Sequence, residues 1–287
     1  MAKKAVIIGI NDYAPIGPGG PDLNGCVHDA RDMANTLVIC GFEAKDIRIL
    51  TNQNATRDNI ISYLKWLVTT SKKGDSLVFY YSGHGTRVAS MNDDLELDGL
   101  DEAICPHDFK TAGVLKDDDL KAVLNTLPKG VNLDVFFDCC HSGSGTRRIK
   151  FDEFNNLTNE TPRFIEPMLE DEFYFNFSRE IQTNSEKEIE TKEDKKSTMK
   201  SLVKVRGMNH VLWAACKENQ VAMEGDFSGQ TRGYFTYNLC KVLRATNGKI
   251  NRSLLDIQLS NALTAMGAAQ INQTEGKTTE LKQFLFN

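Results

Sequence analysis

The chain has no run approaching the roughly 18 consecutive apolar residues of a membrane span. Met1-Ala2-Lys3-Lys4 leads straight into a strand-like stretch, without the apolar region or cleavage site of a secretory leader. A membrane or secreted protein is therefore not expected, and a cytoplasmic location is. An excess of basic charge is missing too: the net charge is −5 and the isoelectric point about 5.6. No Lys/Arg cluster reverses that balance, so nucleic-acid binding is not the expected task. Seven cysteines, an odd number scattered over a long chain, make no disulfide framework and suit a reducing compartment. Cys40, Cys105 and Cys240 read as small buried hydrophobes. Cys139, Cys140 and His141 stand together, but no second CxxC or HxxxH cluster supplies the remaining ligands of a zinc site.

With 287 residues and 40% hydrophobic content, the chain alternates strand-like and helix-like runs, which favours a single α/β unit. Ala5 to Ile10 reads as a first strand, followed by a Gly/Pro-rich loop from Ala14 to Pro21. A helix from about Asn24 to Ile39 stops at Gly41. A second strand covers Ile47 to Leu50. Asn54 or Thr56 caps a helix whose Ile60, Ile61, Leu64, Leu67 and Val68 recur at helical spacing. Asp117 to Leu127 has an acidic first turn and one apolar face, as a helix should. Strand character returns at His210 to Ala215, helices are expected over Tyr234 to Leu243 and Ser253 to Met266, and Glu280 to Phe286 reads as a last strand.

Chemistry concentrates after two buried-strand patterns. Leu77 to Tyr81 leads into Ser82-Gly83-His84-Gly85, and Leu133 to Phe137 leads into Asp138-Cys139-Cys140-His141-Ser142-Gly143. Both runs are too short for ordinary helices and fit a parallel sheet, whose carboxyl edge is where ligands bind. A thiol attacks only as its thiolate, and a nearby imidazole can lower its pKa or take its proton. A nucleophilic Cys140 with His84 as base reads as a cysteine hydrolase.

These segments, with Asn24-Gly25-Cys26-Val27-His28-Asp29-Ala30 ahead of them, resemble the metacaspase branch of the caspase-like cysteine peptidases, including its bacterial members, the orthocaspases. A His roughly 50 residues ahead of the Cys is also the caspase spacing. The resemblance covers about residues 4 to 147 and resumes near residue 208. It implies a caspase-like α/β/α sandwich around a mostly parallel sheet. It further implies a large catalytic region over 1–147, a linker over 148–207 and a small region over 208–287 that completes the fold. The N-terminal prodomain of longer members is not expected, and the resemblance implies a monomer.

By the same resemblance Cys140, directly before His-Ser-Gly, is the nucleophile and Cys139 its neighbour; His141, in contrast to His84, reads as structural. The amides of Gly85 and Cys140 form the oxyanion hole. Asp29 and Asp138, with Ser82 and Cys26 beside them, line a specificity pocket whose paired carboxylates favour cleavage of polypeptides after Arg or Lys. Asp101, Asp117 and Asp118 match positions for an activating calcium. The acidic stretch Asn92 to Glu102 and the triplet Asp117-Asp118-Asp119 supply the hard oxygens that calcium takes. Relatives that depend on calcium carry another acidic residue after the nucleophile, where this chain has Arg147 and Arg148. No organic cofactor is expected.

Residues 151–200 hold 13 acidic and 7 basic side chains, which reads as a linker, disordered at least in part. The aromatics of its first half, Phe151 to Phe177, suggest that this half packs on the core. Its basic residues, among them Arg147, Arg148, Lys150, Arg179, Lys195, Lys196 and Lys200, offer such a protease its own substrate sites. The linker is then expected to restrain the enzyme until self-cleavage. Two alternatives stay open: a catalytically idle caspase-like scaffold that binds partners, and a related peptidase or transpeptidase of different specificity.

Overall fold

The computed structural model describes residues 1–13, 22–89, 100–140, 161–165, 209–217 and 220–286, without the side chains of Ala89, Leu100 and Asp101. Its centre is a sheet of short, apolar, β-branched or aromatic strands. They are β1 (Lys3–Gly9), β2 (Ile47–Thr51), β3 (Ser76–Ser82), β7 (Asn132–Asp138), β9 (Val211–Ala214) and β12 (Gln273–Glu275), in the spatial order β12-β9-β7-β3-β1-β2. All pairs are parallel except β12 with β9. The small strands β4 (Gly85–Ala89), β5 (Leu100–Ile104) and β6 (Leu115–Lys116) form one antiparallel sheet. β8 (Thr161–Pro162), β10 (Met223–Asp226) and β11 (Thr231–Gly233) form another.

Alternate residues of the central strands enter opposite layers. Ile7, Val78, Tyr80 and Phe136 pack with α1 (Cys26–Ile39), α5 (Tyr234–Thr246) and α6 (Arg252–Ala265). Val6, Ile8, Phe79, Tyr81 and Val135 pack with α2 (Arg57–Thr69) and α4 (Asp117–Leu124), beside the single-turn α3 (Phe109–Ala112). A sheet covered on both faces needs apolar residues at every position, and for that reason these strands read as continuous runs without alternation. Thr56 caps α2 by accepting from the Asn59 amide at 3.3 Å. Gly41, just beyond α1, has φ +89, a conformation that favours glycine. No helix among the described residues is long and apolar enough to cross a membrane.

The fold expected from sequence holds, with one correction at the carboxyl end. Glu280 to Phe286 is not a strand: α7 (Thr278–Leu281) occupies its start, and the last strand of the sheet is β12. The Lys277 amide donates to the Glu280 carboxylate at 3.2 Å, which stabilises the first turn of α7 against an extended chain. The Ala14 to Pro21 loop lies outside the described residues. So does all of the 148–207 segment except 161–165.

One buried ion pair ties the last third of the chain to the first two. Arg252 on α6 grips Asp134 on β7 through two bonds of 2.7 Å, and Trp213 on β9 donates to the same carboxylate at 3.1 Å. Removing one partner strands a charge without water, which costs about 3–5 kcal/mol. Asp134→Ala should therefore lower the unfolding free energy by about that amount, read as a fall in the urea midpoint with unchanged slope.

Candidate active site

β3 and β7 are neighbours in register, with Ser82 opposite Asp138. His84 and Cys140 each lie two residues beyond those paired positions, so the sheet delivers both to one edge. His84 is fixed through its backbone. Its amide donates to the Tyr13 hydroxyl at 2.7 Å, and its carbonyl accepts from Tyr81 at 2.7 Å and from the Cys105 amide at 3.0 Å. The Tyr13 ring lies 5.1 Å from the imidazole, centroid to centroid.

Cys140 is buried, and its Sγ accepts from the Ala222 amide at 2.8 Å and donates to the Ala222 carbonyl at 3.2 Å. Burial, with Cys216 and Cys139 nearby, pushes this thiol well above its ordinary pKa, and the Ala222 amide only partly offsets the rise. The group is thus a neutral thiol in this arrangement. Cys139 is also buried, and all seven described cysteines are free. His141 lies outside the described residues.

The residues expected to line a pocket do come together, and a residue not singled out from sequence fills the space between them. Arg163, fully buried, inserts its guanidinium among three carboxylates: Asp29 at 2.6 Å, Asp138 at 3.0 Å and Glu224 at 3.3 Å. Ser82 Oγ accepts from Arg163 at 2.9 Å and donates to Asp29 at 3.0 Å. Each carboxylate is held from behind. Asp29 accepts from the Gly233 amide at 3.0 Å, Asp138 from the Thr236 amide at 3.1 Å, and Glu224 from the Asn24 and Gly25 amides at 2.8 and 3.0 Å. The last two amides sit at the positive end of α1, which favours an anion there.

Burial raises the Asp29 pKa to about 6, the Arg163 charge opposing the rise and the Asp138 charge adding to it. For Arg163, burial works against the charge but is outweighed by the carboxylates of Asp138, Asp29 and Glu224, which hold the guanidinium firmly protonated. Cys26 belongs to the same neighbourhood: burial raises its thiol pKa, and Arg163 pulls the other way.

The backbone of the Arg163 segment is as specifically held as its side chain. The Arg163 carbonyl accepts from the Gly85 amide and the Cys140 amide, both at 3.1 Å. Those are the two N–H groups expected to bind a developing oxyanion. The Arg163 amide donates to Ala222, and the Ile165 amide donates to Gly85, at 3.1 and 3.0 Å. Upstream, Pro162 and Thr161 pair antiparallel with Met223 and Glu224. The segment therefore lies in extended conformation as an added strand, a recurring mode of peptide recognition.

Glu224, Gly233, Thr236 and Ala222 were not legible as site residues. The faint signals were a lone Glu in an otherwise apolar stretch, Ala222-Met223-Glu224, and a Gly directly before a helix. A side chain at Gly233 would strike the Asp138 carboxylate and the Arg163 guanidinium, so only glycine allows the close approach there.

The acidic residues expected to hold a metal are not gathered to the same degree. Asp117 and Asp118 both pair with Lys121, at 2.8 and 3.2 Å. The Asp101 backbone lies in β5, opposite Val88, and its side chain and residues 92–99 are outside the described set. Among the described residues no group of three metal-ligating side chains forms. The donor chemistry of Asp117 and Asp118 nonetheless fits a hard cation, since a calcium ion would balance the charge that Lys121 now balances.

Residues 3–147 match the family model of the metacaspase peptidase C14 domain. Metacaspase-1 of Scheffersomyces stipitis is 30% identical over 93% of this chain and 68% of its own length. Metacaspase-2 of Trypanosoma brucei brucei is 41% identical over 49% of this chain and 42% of its own, and metacaspase-1 of Arabidopsis thaliana 41% over 50% and 40%. Among solved structures, a protein of Geobacter sulfurreducens superposes with a TM-score of 0.68 at 25% identity, covering 100% of this chain and 99% of that one. Caspase-1 of Spodoptera frugiperda superposes at 0.55 and 11% identity, over 96% and 88%, a likeness of fold alone.

The raised Asp29 pKa predicts a pH dependence of stability. The folded state keeps a proton on Asp29 that the unfolded chain, near 3.8, releases, so this contribution is present below about pH 4 and is lost as the pH rises through about 6. In urea unfolding, the stability of the wild type relative to Asp29→Asn should decline between those two values. A difference independent of pH would contradict the assignment.

Proposed function

The chain belongs to the metacaspase family of cysteine peptidases, and on that premise we propose that it is an endopeptidase cleaving after Arg, and less readily after Lys, through Cys140 and His84. The observation that carries this reading is a single one: an arginine seated among three buried carboxylates with its carbonyl between the amides of Gly85 and Cys140. Catalysis needs a peptide carbonyl held so at the moment a nucleophile on the same residue attacks.

Because the Cys140 thiol is neutral, its proton has to leave as the sulfur attacks. His84, two residues beyond the end of β3 as Cys140 is beyond the end of β7, takes that proton as general base in this reading. The tetrahedral oxyanion is stabilised by the Gly85 and Cys140 amides. Its collapse expels the amine, which receives the proton from His84 and leaves a thioester on Cys140. Water, activated by the same imidazole, releases the acid. The pocket favours a guanidinium because its two terminal nitrogens divide among Asp138 and Ser82 on one side and Asp29 and Glu224 on the other. A lysine ammonium brings one nitrogen to the same four partners.

The reading extends to calcium stimulation, supported by the hard oxygens of Asp117 and Asp118 beside the β5–β6 edge, and to self-processing in the 148–207 segment. It also includes a monomeric enzyme acting in the cytoplasm.

Fluorogenic peptides ending in Arg, Lys or Asp, offered to wild type and Cys140→Ala with calcium or with chelator, test the core of this. Turnover should rank Arg above Lys and far above Asp, and fall more than about 1,000-fold in Cys140→Ala. Asp29→Ala should raise KM for the Arg peptide roughly 100-fold, as expected when one charge of a buried pair is deleted. Faster turnover after Asp would overturn the pocket, and equal rates with calcium and chelator would remove the metal.

A further inference from the structure

We propose that the bond cut in this self-processing is Arg163–Phe164. The proposal rests on the Arg-directed reading above and adds to it the identity of the bond and the way the intact chain holds itself closed.

The segment Thr161-Pro162-Arg163-Phe164-Ile165 meets the demands of a bound substrate on both sides of one peptide bond. Upstream, Thr161 and Pro162 lie opposite Glu224 and Met223 of β10, and the Arg163 amide donates to Ala222 at 3.1 Å. At the bond itself, the Arg163 carbonyl is held by two amides, one belonging to Cys140 and the other to the neighbour of His84. Downstream, Phe164 bridges to Gly85, and the Ile165 amide donates to the Gly85 carbonyl at 3.0 Å. The side chains divide accordingly. Arg163 is buried in the carboxylate pocket, Phe164 packs against the core of one layer and Ile165 against that of the other. An arginine held only for stability needs its guanidinium paired. It does not need its carbonyl aimed at two N–H groups beside a thiol.

The reaction balances with water alone. Cys140 Sγ bonds to the Arg163 carbonyl carbon, and the bond from that carbon to the Phe164 nitrogen breaks. The thiol proton passes through His84 to the departing Phe164 amine. Water then cleaves the thioester, restoring the thiol and leaving a carboxylate on Arg163.

The intact segment also occupies the pocket that any external arginine must enter, so an uncut chain competes with its substrates. Its rest state is consistent with this. The Cys140 thiol is neutral and bonded to both backbone groups of Ala222, the same residue that anchors the Arg163 amide. Cutting the bond leaves Arg163 as a chain end tethered from the upstream side alone, so that it yields the pocket to an external arginine, without separating the two pieces. The β7–β9 pairing and the Asp134–Arg252 ion pair still join them.

The test uses the full chain as wild type, Cys140→Ala, Arg163→Lys and Arg163→Gln, each incubated with calcium, with fragment ends read by intact mass spectrometry. Cleavage of an external Arg peptide is followed in parallel, and circular dichroism monitors the fold of every variant. The wild type should yield one fragment ending at Arg163 and one beginning at Phe164. Arg163→Lys should give the same ends about tenfold more slowly, Arg163→Gln should lose this cut, and Cys140→Ala should stay whole. A wild type that cleaves the Arg peptide while Arg163–Phe164 stays intact, whether or not Arg179, Lys195 or another basic residue is cut, overturns the inference and leaves the Arg-directed reading standing. A folded wild type that cleaves neither overturns both.

Discussion

Three carboxylates and one guanidinium, all removed from water, set the terms for the rest of this molecule. Asp29, Asp138 and Glu224 come from α1, from the end of β7 and from β10, elements far apart in the chain. Bringing them together concentrates negative charge in a region of low dielectric, which is unfavourable unless a cation joins them. Arg163 supplies that cation, and the backbone amides at Asn24, Gly25, Gly233 and Thr236 supply the remaining bonds. The three carboxylates are thus satisfied by the guanidinium of the chain's own Arg163.

The same cluster ties chemistry to architecture. Asp138 is the last residue of β7, two positions before Cys140, and Ser82 is the last of β3, two before His84. Each strand ends in a residue of the pocket and then in a residue of the proposed dyad. Whatever seats the guanidinium correctly also brings the adjoining carbonyl to the thiol, because the distance between the two sites is fixed by two residues of chain leaving a rigid parallel pair. In the proposed reading, recognition and positioning are one event, which is how binding energy from a side chain can be used at a reacting bond.

Much of this was legible in the sequence, and what was not has a physical reason. The parallel strands announced themselves because burial on both faces forces an unbroken apolar run, as in Leu77 to Tyr81. His84 and Cys140 were singled out because short motifs follow such runs, and Asp29 and Asp138 because their segments resemble the family's. The end of the chain was misread because Leu281, Phe284, Leu285 and Phe286 have strand-like composition, whereas the Lys277–Glu280 turn starts a helix and Leu285 and Phe286 are buried without a ladder. Glu224 and Arg163 escaped notice for a different reason. A buried charge is recognised by its partners, and theirs are separated by up to about two hundred positions. Arg163 lay besides in a stretch whose composition reads as solvated, where one more arginine carries no signal.

Strand β10 gives the carboxyl-terminal region a larger part than that of a structural complement. Its Glu224 closes the pocket, its Met223 and Glu224 pair with the segment ahead of Arg163, and the adjoining Ala222 holds both the Cys140 sulfur and the Arg163 amide. A piece ending near residue 147 would therefore contain His84, Cys140, Asp29 and Asp138, yet would lack the strand against which the Thr161–Arg163 backbone is laid and one of the three carboxylates around the guanidinium. In the proposed reading, the half of the chain with the recognisable motifs carries the reactive groups, and the other half supplies part of the surface that receives the substrate. Pairing between extended backbones is insensitive to side-chain identity. Such pairing leaves no residue pattern of its own, and the family model accordingly matches residues 3–147.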